Sequence, residues 1–358
     1  MLVAAIDLEQ ASWVFAGVCA LVVLAFMVWA QKGLAWSDVL CKRYLYSGRR
    51  VACRRAIAAL RFAPHPLAPL LADRFLIRLA SDEACTVSAL AGLDRLIAQS
   101  TAPQTSAIIS ASLVDIWVNA GHYRAAIFAP RQYRWRGLGA SSWELYSVAH
   151  INRAEALHNV GRNDLALRLL ARIRSRNTSG VGVNGSIALE AWILADMGRA
   201  REAREVFERI DPRPLTPYYA AEVHFTRALI ELASGEYEVA LAEASSGMAN
   251  VVRASSERNG WFLLGRIEAL RGNLEPALAL YERGRSHRYR GQSGRGLLEL
   301  GQLYERSAQP DAARAAYAQA IREDPENAAT ARCRVALDES LESVPQSEAD
   351  VAACRAAQ

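Results

Sequence analysis

The side chains that could ligate a metal or act as nucleophiles are few and scattered. Histidine occurs at His65, His122, His150, His158, His224 and His287, and cysteine at Cys19, Cys41, Cys53, Cys85, Cys333 and Cys354. A metal centre needs three or four such ligands at close spacing. The chain has no CxxC and no HExxH. His150 and His158 lie eight residues apart and could share one helix face, but acidic or cysteine companions at ligand spacing are missing. No GxSxG or Walker A motif is present, and the glycine-rich GVGVNGS at 180–186 follows no predicted strand. It reads as a linker rather than a phosphate loop. No cofactor is expected, and the chain does not read as an enzyme. Six widely spaced cysteines fit free thiols in a reducing compartment better than a disulfide framework.

Two clusters mix arginine with aromatic side chains. RQYRWRG carries Arg131, Arg134, Trp135 and Arg136, and ERGRSHRYRG carries Arg285, Arg288, Tyr289 and Arg290. Such a surface can stack on single-stranded bases or hold lipid headgroups or acidic protein. It can equally be a solvated loop or a set of ion pairs between neighbouring elements. The net charge of +5 and pI near 9.0 add only a weak preference for acidic partners. Lysine occurs only at Lys32 and Lys42, so the arginine excess reflects coding bias rather than phosphate binding. No DNA-binding module is visible, which disfavours nucleic acid as a partner.

Stepping N-terminal from these clusters, the segment 12–30, SWVFAGVCALVVLAFMVWA, has no charged residue. At about 1.5 Å per residue it would span roughly 28 Å, close to the hydrocarbon thickness of a bilayer. Trp13 and Trp29 flank it at the positions of an interfacial belt. The leader 1–11 has no basic residue and carries Asp7 and Glu9, unlike a signal peptide, although VWA before Gln31 could pass as a cleavage site. Lys32, Lys42, Arg43, Arg49 and Arg50 all follow the span. The positive-inside rule then places the N-terminus outside and the rest in the cytoplasm. The expectation is a single-pass protein of the inner membrane.

Beyond the span, residues 31–106 read as basic juxtamembrane helices and an N-terminal cap or degenerate repeat. A helix over 37–62 carries a breaker at Gly48, FAPHPLAP at 62–69 ends it, and further helices are expected at 70–80 and 84–99. A regular frame then begins. Ala126, Ala166, Ala203, Ala240, Ala277 and Ala313 recur at steps of 40, 37, 37, 37 and 36 residues. Gly121, Gly161, Gly198, Gly235 and Gly272 each precede one of these alanines by five residues, and Ala308 takes that place before Ala313. Ala154, Ala191, Ala228, Gly265 and Gly301 form a second small-residue series, with Val114 in the first unit. Phe207, Tyr281 and Tyr317 supply bulk later in their units. Glycine suits a helix-ending turn, and small residues let two helices cross closely while a large neighbour fills the gap. The pattern predicts six helix pairs over 107–328, a loop at 131–146, and a capping helix and polar tail over 329–358.

Leu297, Leu300, Gly301, Tyr304, Ala313, Tyr317 and Pro325 fit the order W-x2-L-G-x2-Y…A-x3-F…P, so the chain resembles the tetratricopeptide repeat (TPR) family. The resemblance implies an all-α, right-handed TPR-like α-solenoid, here preceded by the single transmembrane helix. It also implies a concave groove lined by the first helix of each unit. Carried onto this sequence, the groove positions include Ile151, Glu155, Trp192, Phe225, Leu229, Phe262, Arg266, Leu298 and Gln302. Some of these could instead pack between units. At the positions where some family members clamp a carboxylate stand Asn152, Leu189, Thr226, Leu263 and Glu299, and only Asn152 fits such a clamp. The implied partner is a protein or peptide with an apolar or amphipathic segment. Function is then expected to be that of a membrane-anchored scaffold. The alternatives are a periplasmic protein of envelope biogenesis or secretion, and a regulator responding to peptide or nucleic acid.

Overall fold

The computed structural model describes residues 41, 50–62, 68–82, 103–128, 140–176, 181–211 and 217–342. Among them every regular element is a helix. An N-terminal pair, α1 (Arg50–Arg61) and α2 (Ala68–Asp82), leads into α3 (Pro103–Asn119) and α4 (Tyr123–Phe128). Next come α5 (Ala140–Asn159) and α6 (Asn163–Arg176), α7 (Val181–Asp196) and α8 (Ala200–Phe207), and α9 (Pro217–Ala233) and α10 (Tyr237–Ala249). The last pairs are α11 (Ala254–Leu270) with α12 (Leu274–Ser286) and α13 (Gly294–Arg306) with α14 (Pro310–Glu323), followed by α15 (Ala328–Glu342). Thus α3 to α14 form six helix pairs, and α15 packs on α13 and α14 as a cap.

The turn inside each pair explains the glycine series. The amide of Gly121 donates to the carbonyl of Val118 and that of His122 to Trp117, the two bonds of a Schellman turn. The same two bonds recur at Gly161, Gly198, Gly235, Gly272 and Ala308. The five glycines have φ between 75° and 86°, and Ala308 adopts φ 56°. A Cβ added at Gly235 would touch nothing within 4 Å, so its substitution isolates the backbone cost. Gly235→Ala is expected to lose about 1 kcal/mol. Ala308→Gly should gain about half of that, because glycine also has more unfolded-chain entropy to lose. Shifts of the urea midpoint in opposite directions would check both.

Small and large residues interlock as the spacing requires. Ala126, Ala154, Ala166, Ala191, Ala203, Ala228, Ala240 and Ala277 have no accessible surface, so no larger side chain fits there without movement. A Cβ at Gly265 would lie 2.8 Å from the Tyr281 ring, and Gly301 lies likewise under Tyr317. A second interlock joins successive pairs: Phe225 of α9 fills the space over Gly247 and Gly260, and Phe262 of α11 that over Gly284 and Gly296. In the N-terminal pair Cys41, Cys53, Ile57, Leu60, Ala72 and Phe75 form a separate small core, and Arg61 pairs with the buried Asp73.

The array curves until its ends meet. The loop between α12 and α13 reaches the C-terminus of α3, where the Tyr289 hydroxyl donates to the Asn119 carbonyl at 2.7 Å. Gln292 Nε2 donates to Glu155 of α5 at 2.8 Å, and Asn327 Nδ2 to Asn159 Oδ1 at 3.3 Å. The Arg124 amide donates to Glu326 at 2.6 Å. Nothing in the local sequence patterns announces this closure.

Several expectations fall elsewhere. The span 12–30, the helix expected at 84–99 and the residues 131–139 lie outside the described residues. Among the described residues no helix is long and apolar enough to cross a membrane. The loop expected through 146 ends earlier, since α5 begins at Ala140. GVGVNGS is no linker: Val181 starts α7. Its GVGVNG spacing is that of a dinucleotide fingerprint, but Gly182 and Gly185 lie within a helix. Asn184 instead fixes the start of α7, donating to the Asp211 carbonyl at 2.7 Å and accepting from its amide at 3.1 Å.

Candidate functional site

The curved array encloses a cavity of about 370 Å³ on its concave side. The first helix of each pair faces it because the second helix is held outside by the small-residue crossings. Of the nine predicted groove residues, Ile151, Glu155, Trp192, Phe225, Leu229, Phe262 and Arg266 line the cavity. Leu298 is buried in the core cluster with Phe262 and Tyr317, and Gln302 is half-buried on α13 away from the cavity. Phe75 and Ile77 of α2 add apolar surface, and Gln292 and Asn327 of the closure add polar surface, that the repeat rule could not supply.

Exposure divides the seven. Phe225 is 2%, Leu229 4% and Phe262 6% exposed, so these three edge the cavity while belonging to the core between units. They are structural residues first, and their reading as free groove contacts is corrected accordingly. Ile151, Glu155, Trp192 and Arg266 are only partly buried and present surface to the cavity.

The polar part of the wall is an ion network from four helix pairs. Arg266 contacts Glu299 at 2.6 Å and Asp196 at 3.8 Å; Arg295 pairs with Asp196 and contacts Glu299 at 3.2 Å. His158 Nε2 lies 3.5 Å from Asp196. The Tyr281 hydroxyl donates to Glu299 at 3.0 Å. Burial alone would depress the Arg266 guanidinium, but Glu299, Tyr281 and Asp196 more than offset it and hold the group firmly charged. With Asn152 donating to Asp115 at 3.2 Å and Glu299 held by arginine, no carboxylate clamp is assembled. His150, stacked on Tyr146, and His158 point to different partners. Among the described residues no group of three or more metal-ligating side chains converges.

The second arginine–aromatic cluster is not a free surface. Tyr289 is 2% exposed and committed to Asn119. Arg285 contacts Glu282 at 2.9 Å and Gln319 at 3.0 Å, and Arg290 contacts Glu323 at 3.2 Å. Arg288 and Arg290 keep the exposure expected of the cluster, Arg290 while paired with Glu323. Base stacking on Tyr289 would require the closure to come apart. The first cluster, Arg131, Arg134, Trp135 and Arg136, lies outside the described residues.

Sequence patterns gave no warning of two buried charges beside the cavity. Arg258 of α11 has no exposed surface; Nε donates to the Gly284 carbonyl at 2.8 Å, Nη2 to Glu323 at 2.7 Å, and the guanidinium lies 5.4 Å from the Phe262 ring centroid. Burial pulls its pKa below the usual range, and Glu323 offsets this only in part.

Asp324, also fully buried, accepts from the Gly294 amide at 2.9 Å and from Asn327 at 3.0 Å, with Tyr123, Tyr289 and Arg258 facing it. Burial pushes its carboxyl up to about 6, against the opposing pull of those donors and Arg258. The folded state therefore keeps a proton that the unfolded chain has lost between about pH 4 and 6. This contribution is complete below about pH 4 and is lost as the pH rises through about 6. Between pH 7 and pH 5 the native chain should gain stability relative to Asp324→Asn, by about 1 kcal/mol. Paired melts across that range would measure it.

Comparison with known proteins agrees with this architecture. Residues 294–327 match the model of the tetratricopeptide repeat. No curated protein matches the chain. The APC/C hetero-tetramer Cut9-Hcn1 structure is similar in fold, with a TM-score of 0.52 and 11% identity over 82% of this chain and 54% of that one. The chain thus spans about half of that relative's length. A tetratricopeptide repeat protein from Parabacteroides merdae is 11% identical over 86% of this chain and 98% of its own, with a TM-score of 0.42. The chain is an all-α, TPR-like solenoid, and its unit at 294–327 is a tetratricopeptide repeat by direct match.

Proposed function

We propose that this protein is a scaffold that holds a segment of a protein partner in its concave cavity, and that residues 12–30 anchor it to the inner membrane with the repeats in the cytoplasm. TPR solenoids are in general protein-interaction scaffolds, and fold alone does not choose the partner. The observation that carries the reading is the cavity wall. Ile151 and Trp192 give apolar contact surface, and an ion network sits beside them at Asp196, Arg266 and Arg295. Such a wall suits an apolar or amphipathic segment with a few polar groups. The partner completes a membrane complex.

A photo-crosslinking residue placed at position 188, on the cavity wall, should form an adduct with one protein in native membranes. The same residue at position 239, on the outer face of α10, should not. An adduct from 239 and none from 188 would move binding to the convex side. Alkaline phosphatase fused after Gln358 should be inactive and a fluorescent reporter active; the reverse would favour the periplasmic reading.

A further inference from the structure

The contact that closes the array is built differently from the rest of the molecule. Within and between helix pairs, apolar side chains interlock over glycine and alanine. At the closure the partners are mostly polar: Tyr289 on Asn119, Gln292 on Glu155, Asn327 on Asn159, and Glu326 on the Arg124 amide. Gln292 sits at φ 54°, a left-handed conformation costly for a residue with a side chain. Gly291 approaches the Asn119 carbonyl so closely that any Cβ would collide with it. Buried polar groups crowd here: Tyr123 Oη faces the Asp324 carboxyl, and Arg258 Nη1 lies beside them without a hydrogen-bond partner. Backbone strain and buried polar groups held by few bonds lower the free energy of local opening relative to global unfolding.

We propose that the closure is a latch: the junction of 287–293 and 324–327 with Asn119–Arg124 and Glu155–Asn159 opens and recloses as a unit while the six helix pairs stay folded. Gln292 and Asn327 are themselves part of the cavity wall, so opening removes one side of it. The cavity of about 370 Å³ is partly open to solvent, and this junction bounds part of its width. The latch thereby sets which shape of segment can enter. Only this last consequence rests on the cavity being the partner site; the opening itself does not.

One amide reports the latch directly. First-turn amides of a helix have no acceptor inside it. The Arg124 amide in α4 is bonded across the junction to Glu326. Hydrogen exchange resolved to single residues would be followed on the full chain in detergent. Arg124 should exchange at least about tenfold faster than the α11 amides of Leu263 and Ile267. Gln292→Ala removes the bond to Glu155 and keeps a left-handed φ of the kind alanine already adopts at Ala308, so folding is not threatened. It should speed the latch amide severalfold more and leave α11 unchanged. Tyr289→Phe, which deletes only the donor to Asn119, should act in the same direction. An Arg124 amide that exchanges at the α11 rate would overturn the proposal. So would variants that accelerate both regions equally, since the closure would then be part of one cooperative fold. Neither outcome depends on finding a partner, so failure of the latch is distinguishable from failure of the binding role.

Discussion

Replacing Glu323 by alanine is expected to cost about 3–5 kcal/mol, the largest loss from any single substitution of a charge here. Glu323 is the carboxylate of Arg258 and accepts also from Gln319 at 2.8 Å, Ser293 at 3.1 Å and Arg290. Without it a guanidinium with no exposed surface remains in the core with the Gly284 carbonyl, the Phe262 ring and the buried Asp324 nearby, the last mostly protonated below about pH 6. The pair itself need not be strongly stabilising, because both charges were taken out of water to form it. Arg258→Met together with Glu323→Leu should therefore recover much of what Glu323→Ala loses. A denaturation cycle over the two singles and the double would show it as a coupling energy well above 1 kcal/mol.

The second large effect is at Phe262. Its ring fills the space over Gly284 and Gly296, where added Cβ atoms would collide with it, so α11, α12 and α13 all close on one side chain. Phe262→Ala should cost about 3–5 kcal/mol, lost transfer energy plus a cavity that rigid helices cannot collapse. Phe262→Glu should not fold stably. Trp192, half-buried on α7, should tolerate alanine with a loss nearer 1 kcal/mol. Because Arg258 stacks near Phe262, the effects of Phe262→Ala and Glu323→Ala should not add.

The repeat frame was legible because its cause is local. A Schellman turn wants glycine at one position, and a close crossing wants alanine or glycine at another, so both requirements print a period on the sequence. The groove rule found Ile151, Glu155, Trp192 and Arg266 for the same reason: the turn fixes which helix faces inward. It could not separate Phe225, Leu229 and Phe262, which belong to the core, since an apolar residue facing inward looks the same whether it meets a partner or the next helix. Leu298 and Gln302 fell outside because the cavity ends at Arg295 and Gly296 on α13. The closure was illegible for a different reason. Tyr289 and Asn119 are 170 residues apart and joined by single polar contacts that no periodicity carries. The same contacts turned an arginine–tyrosine cluster, surface-like by composition, into a buried joint. Arg258 was hidden likewise, because a lone arginine in a helix reads as solvated until its burial is known.

The binding role of the cavity is tested most directly by one comparison on the full chain in native membranes. Trp192→Glu puts a carboxylate on the apolar part of the wall, while Ala203→Glu puts one into a helix crossing with no free space. Each is scored by thermal melt and by recovery of the protein crosslinked from position 188. Trp192→Glu should melt near the parent and lose the crosslinked partner, because the segment would have to desolvate an unpaired charge. Ala203→Glu should melt far below the parent. A Trp192→Glu protein that stays folded and still captures the same partner from position 188 would contradict the assignment of the cavity as the binding site.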